Sequence, residues 1–147
     1  MRMTVQRVHR ATLSVNEEQI SQIGMGYLVL VGFTHTDTKE LVERLVNRVV
    51  NMRIFRDADG KLNDSLEQVG GEVMVVSNFT LYGDCFTNRR PDFSRSAKYD
   101  FALPLYEYTI ECFKNRLGHC AHGVFGAHMH IDMVSDGPVT LWLEKDA

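Results

Sequence analysis

Ser77-Asn78-Phe79-Thr80 places two hydroxyls and a carboxamide in four consecutive residues, where the apolar run Val73–Val76 ends. Strand ends direct backbone N–H groups and short polar side chains into pockets, the setting in which an oxyanion hole is built. A nucleophilic Ser or Thr also needs a base beside it, and the sequence fixes no histidine or lysine there. Polar residues that merely finish a strand account for the tetrapeptide without any chemistry. Ser135-Asp136-Gly137-Pro138-Val139-Thr140 has the same ambiguity. By composition it is a turn, yet an X-Pro bond reaches the cis form for about 0.5–1 kcal/mol and can make a rigid backbone corner.

Two further groups invite chemistry. His119, Cys120, His122, His128 and His130 fall within twelve residues, but their spacing matches no compact zinc pattern. A solvated polar face is the better explanation, with His128, His130 and Asp132 on one side of a strand, and no metal or other cofactor is expected. Arg89, Arg90, Arg95 and Lys98 set four positive charges against the single negative charge of Asp92, with Phe93 among them. From charge alone this is a solvated face or a local patch for a polyanion. Asp57-Ala58-Asp59-Gly60 lacks the ligand series of a calcium loop and reads as a turn. There is no G-x-S-x-G elbow, Walker A motif or G-x-G-x-x-G fingerprint.

The elements that must position these residues belong to one domain, 1–147, long enough to bury a single core. At 44 % apolar and 24 % charged residues the chain is globular in composition, and its net charge of −3 argues against a protein that coats DNA. Its longest apolar run, Tyr27–Phe33, is far short of the roughly 20 residues of a membrane span. The N-terminal ten residues have no secretory apolar stretch, and three cysteines without Cys-x-x-Cys spacing argue against a disulfide framework. A reduced, cytoplasmic location is expected.

Met3–Val15 reads as one strand or two joined near His9-Arg10, followed by a turn at 16–19 and a short strand Ile20–Ile23. Tyr27–Phe33 reads as a strand buried on both faces. Leu41, Leu45 and Val49 recur at helical spacing within Asp37–Asn51, with Asp37 or Thr38 as N-cap. Glu72–Ser77 is a strand running on through Asn78–Leu81. A second helix covers Asp100–Leu117, its start placed near Phe101 so that Pro104 falls in the first turn. Val124–Val134 alternates as a half-buried strand, Gly137-Pro138 ends it, and Val139–Leu143 is a last strand. The sum is an α+β domain with a curved, barrel-like, mostly antiparallel sheet and two helices.

Taken together and in order, several segments resemble the D-aminoacyl-tRNA deacylases along essentially the whole chain. They are Gln6-Arg7-Val8, Arg53-Ile54-Phe55, Val75–Leu81, Arg90-Pro91-Asp92-Phe93-Ser94, Phe125-Gly126-Ala127-x-Met129 and Asp136–Thr140. The resemblance implies a homodimer that hydrolyses the ester between a D-amino acid, or glycine, and the 3′-terminal adenosine of tRNA, sparing L-aminoacyl-tRNA. It implies a pocket at the dimer interface walled by Ser77, Asn78, Phe79 and Thr80. Into it the partner subunit inserts a Gly-cisPro corner, here Gly137-Pro138, with Arg7 holding the corner and Met129 beside the substrate. It implies chemistry assisted by the substrate's own 2′-hydroxyl, and makes Arg89, Arg90, Arg95 and Lys98 candidates for tRNA phosphate contacts. Two positions depart from the family pattern. Asn78 stands where glutamine is usual, one methylene shorter, which predicts a longer or water-bridged hydrogen bond. Ser135 stands where asparagine is usual. Two other readings compete: a small-ester hydrolase with Thr80 as nucleophile, and a catalytically weak or silent dimeric nucleic-acid-binding module.

Overall fold

The computed structural model describes every residue from Met1 to Ala147. Its organising element is a single strand, β1 (Arg2–Val15), uninterrupted at His9-Arg10. Met3 and Val5 point into a core shared with both helices, whereas Val8, Ala11 and Leu13 point into a second cluster with Ile23, Leu28, Met74 and Val76. β1 turns through Asn16 and Glu17, both with positive φ (50° and 66°), into β2 (Glu18–Ile23). Such a two-residue turn matches the twist of the strands it joins, so β2 starts two residues earlier than expected.

β3 (Gly26–Gly32) runs antiparallel to the first half of β1 and parallel to β6 (Glu72–Ser77). Gly26 is required there, because a Cβ would lie 1.8 Å from the carbonyl oxygen of Glu72. Between them come α1 (Lys39–Asn51) and a small hairpin of β4 (Phe55–Arg56) and β5 (Leu62–Asp64), for which the sequence pattern gives no signal beyond the turn. The hairpin turns at Asp57, whose Oδ1 accepts the N–H groups of Asp59 and Lys61. Thr38 is the N-cap of α1, accepting Leu41 N–H at 3.3 Å. Asp37 is buried and accepts the Thr34 N–H at 2.8 Å and the Met1 amino group at 2.6 Å.

α2 (Tyr99–Leu117) begins earlier than expected, so Pro104 sits in its second turn. Both Pro104 and Asp100, whose carbonyl loses its helical partner, are exposed, so water can satisfy the freed oxygen. The helix ends at Gly118 with φ 82°. β7 (Ala121–His122) is parallel to β6, and the Ser21 hydroxyl of β2 donates to the His122 carbonyl at 2.9 Å, nearly closing the sheet into a barrel. Three of the five pairings in this six-stranded sheet are antiparallel, in line with the expected α+β class.

The last third of the chain corrects the sequence reading most. No strand begins at Val124: residues 124–129 are turn and loop, and β8 starts at His130 and runs to Glu144. Gly137-Pro138 does not end it. Both halves of β8 pair with β1, and the Gly-Pro segment leaves the sheet between them. His128 therefore lies before the strand, its ring edge-on to His130 with centroids 5.0 Å apart.

All three cysteines are free thiols. Burial pushes the Cys120 thiol up to about 12 from an ordinary value of 9.0, while Cys85 is exposed. Ellman's reagent at pH 8 is therefore expected to modify Cys85 in the native protein and Cys120 only after denaturation. The stability gained by keeping Cys120 neutral is complete below pH 9 and is lost as pH rises through 12. A Cys120→Ala variant with an unchanged alkaline limb of stability against pH would contradict this.

Candidate active site

Two structural transitions build the site. β6 stops at Ser77, and the chain turns at once into a single 3₁₀ turn, Phe79–Tyr82, instead of continuing extended to Leu81 as the sequence suggested. Asn78 causes the change. Its backbone N–H still bonds to the Val31 carbonyl at 2.7 Å, completing the strand pairing, while its side-chain oxygen caps the turn by accepting Thr80 N–H at 3.2 Å. The same oxygen accepts the Thr80 hydroxyl. The shorter amide thus bonds within its own turn through its oxygen.

The Phe79–Thr80 peptide is held at both ends. Its N–H is taken by Asn78, and its carbonyl accepts the Ser96 hydroxyl at 2.7 Å. Ser96 carried no signal in the sequence; it matters because residues 94–97 are laced to the loop after β3. The Thr34 hydroxyl donates to Arg95 O, His35 bonds Ser94 O and Ala97 N–H donates to Phe33 O. The Phe79 ring is 57 % exposed and meets Phe93 edge-on at 5.0 Å.

The turn opens on a pocket of about 550 Å³. Ser77, Asn78 and Phe79 line it together with Leu30, Val76, Tyr99, Phe125, His128, Met129 and Ile131. Thr80 does not line it. Tyr99 and Tyr106 brace Phe125, with ring centroids 5.1 and 5.4 Å away. The buried Tyr106 hydroxyl ties α2 to the sheet, donating to Val75 O at 2.9 Å and lying 3.3 Å from Gly123 O. Burial raises its pKa well above the ordinary phenol value. Met129 packs so closely on Gly123 that a Cβ there would lie 2.5 Å from its sulfur.

Gly137 and Pro138 are joined by a cis peptide bond, are exposed, and line no part of this pocket. Gly137 has φ 119°, a conformation closed to residues with a side chain. Arg7 is 4 % exposed, with Nε 3.0 Å from Asp136 Oδ2 and Nη1 donating to the Ile54 carbonyl. Arg89, Arg90, Arg95 and Lys98 are all exposed and none is in an ion pair. The Arg95 guanidinium lies 5.9 Å over the Tyr82 ring. No group of three His, Cys, Asp or Glu side chains is arranged to hold a metal ion.

This fold, with its pocket at a strand end, defines a class of small α+β proteins already represented among solved structures. The structure of a c-Myc DNA Unwinding Element Binding Protein superposes with a TM-score of 0.93 at 37 % identity, covering all of both chains. A probable eukaryotic D-amino acid tRNA deacylase superposes at 0.85 with 18 % identity over 97 % of each chain, a likeness of fold. The family model described as D-Tyr-tRNA(Tyr) deacylase matches residues 4–144, and the chain belongs to that family. The D-aminoacyl-tRNA deacylase of Thermus aquaticus is 46 % identical over 145 residues, covering 99 % of this chain and 95 % of the relative. That of Clostridium acetobutylicum is 43 % identical, covering 99 % and 97 %.

Because the Tyr106 hydroxyl is the polar link between helix, sheet and pocket wall, Tyr106→Phe is expected to lower unfolding free energy by about 1–2 kcal/mol. Urea denaturation reads this as a lower midpoint with an unchanged slope. An unchanged midpoint would mean the two carbonyls do not depend on it.

Proposed function

We propose that the chain hydrolyses the ester between a D-amino acid, or glycine, and the 3′-terminal adenosine of tRNA, as a cytoplasmic homodimer with its active site at the interface. The observation that carries this, together with family membership, is the separation of pocket and corner. Ser77–Phe79 wall a pocket that Gly137-Pro138 of the same chain does not enter, and a second copy can supply the corner. Met133, Val134 and Trp142 of β8 are exposed apolar side chains near it in sequence, suited to such a contact.

Water adds to the ester carbonyl, oriented by the 2′-hydroxyl beside it. The tetrahedral oxyanion faces the Phe79 N–H at the start of the turn. The C–O bond to the ribose then breaks, releasing the amino acid and a free 3′-hydroxyl. A pre-oriented donor of this kind is worth about 3–4 kcal/mol of barrier. Thr80 is poorly placed as a nucleophile, because its hydroxyl donates to Asn78 and no histidine or lysine is bonded to it. Selection is steric. The side chain of an L-ester meets backbone at Gly137-Pro138, and backbone in a rigid corner cannot rotate aside as a side chain can. A glycyl ester has nothing to reject.

The test is deacylation of matched D-tyrosyl-, L-tyrosyl- and glycyl-tRNA by the purified protein. Hydrolysis of the D and glycyl esters with the L ester spared is expected. Binding of tRNA with no hydrolysis of any ester would instead favour the silent nucleic-acid-binding module, a reading to which likeness to a protein named for binding a DNA element lends weight. If Arg89 and Arg90 contact phosphates, Arg89→Glu with Arg90→Glu raises KM for D-tyrosyl-tRNA at least tenfold at low salt and flattens its salt dependence. Unchanged affinity removes that role.

A further inference from the structure

β1 and β8 pair residue for residue except at two adjoining places: His9 has no partner between Val8 and Arg10, and a larger mismatch lies at Arg7. Gln6 faces Thr140 and Val8 faces Ser135, so the single residue Arg7 stands opposite Asp136–Val139, four residues of β8. Four residues cannot fit where one belongs, and the excess leaves the sheet carrying Gly137-Pro138 at its tip. A protrusion fixed only through its strand ends would be free to tilt. Here it is fastened by side chains at its base. Gln6 Nε2 donates to Ser135 Oγ at 2.7 Å, and Arg7 Nε lies 3.0 Å from Asp136 Oδ2. Gln6 and Arg7 are consecutive on a strand and leave it on opposite faces, so the two tethers grip the protrusion from both sides.

The two ends of the charged tether differ. The Asp136 side chain is 47 % exposed, that of Arg7 5 %. Arg7 is itself immobilised: it donates to the Ile54 carbonyl, and its guanidinium carbon lies 5.8 Å over the Phe55 ring, which stacks on the fully buried Tyr27 at 5.3 Å. Asp136 thus couples an exposed tip to a rigid interior stack. The fit is close, since a Cβ on Gly137 would lie 3.2 Å from Arg7 Nη2.

We propose that Asp136, supported by Ser135, is a specificity-determining positioning residue that fixes the direction of the Gly137-Pro138 corner and so sets the discrimination between D- and L-esters. This rests on the deacylase reading above. Neither side chain touches the ester. Their effect is on how far the corner can yield, because a steric filter rejects the wrong enantiomer only while moving the obstacle costs more than the clash. Ser135, which departs from the asparagine usual in the family pattern, provides the oxygen that Gln6 holds.

The test uses the full-length dimer with Asp136→Asn, which keeps shape and removes charge, Ser135→Ala, and the double variant. The ratio of kcat/KM for L-tyrosyl- over D-tyrosyl-tRNA is expected to rise about tenfold in Asp136→Asn and severalfold in Ser135→Ala. The double variant exceeds the product of the two, as coupled contacts do. Asp136→Glu, which keeps the charge, recovers part of the selectivity. Amide hydrogen exchange at Gly137 and Val139, measured without substrate, is expected to quicken in Asp136→Asn. Glu67→Gln, which cuts an exposed ion pair with Arg116 elsewhere, leaves ratio and exchange as they were. An unchanged ratio, or equal losses on both enantiomers, overturns the assignment, as does unchanged exchange in Asp136→Asn. If the unmodified protein cleaves none of the esters, the deacylase reading fails, and the exchange measurement still decides whether Asp136 holds the corner.

Discussion

Everything in this molecule depends on one strand serving two cores. The first half of β1 turns Met3 and Val5 toward the helices, and its second half turns Val8, Ala11 and Leu13 toward the barrel interior. A regular strand keeps one face toward one side throughout, so β1 must change phase, and it does so where its pairing with β8 is irregular, from Gln6 through Val8 to Arg10. The change falls at His9, which has no partner in β8 between Val8 and Arg10; just before it, Arg7 keeps the phase of Met3 and Val5 and is buried beside Phe55. The corner leaves the sheet directly beside that change of phase, and its anchor, Arg7, is the last residue of the first half to point toward the helix-covered core.

The pocket answers to a different constraint. β3 and β6 are parallel, so their C-terminal ends emerge together, and Val31 and Ser77 finish side by side. Asn78 then has two duties: its main chain finishes the ladder and its side chain starts the 3₁₀ turn. The turn is held from the outside by Ser96, in a segment otherwise notable for its cations. The cation-bearing segment and the pocket wall are thereby part of one laced unit.

Much of this was legible in the residues themselves. α1 showed through Leu41, Leu45 and Val49 because its buried face is continuous, and Tyr27–Phe33 showed because a strand covered on both sides needs no alternation. Val124–Met129 misled because alternation persists in a loop whose residues are by turns exposed and half-buried. Pro104 misled because the rule against proline in a helix weakens where the freed carbonyl is exposed. At the site, Ser77–Thr80 and Gly137-Pro138 stood out as local patterns. The bonds of Ser96, Gln6 and Asp136 did not, since each joins residues distant in the chain and nothing in a hydroxyl or an amide announces its partner.

The pairing of β1 with β8 also sets an order of events in the life of the chain. Arg2 pairs with Glu144, and every β8 contact along β1 spans more than a hundred residues of sequence. While the protein is being synthesised, one whole edge of β1 therefore waits, unpaired, until the last strand leaves the ribosome. Such an edge is the kind of surface on which nascent chains aggregate and chaperones act. The corner comes into being at the same late moment, because it exists only once both halves of β8 have found β1. A chain stalled before β8 carries every residue of the Ser77–Phe79 wall and none of the Gly137-Pro138 corner.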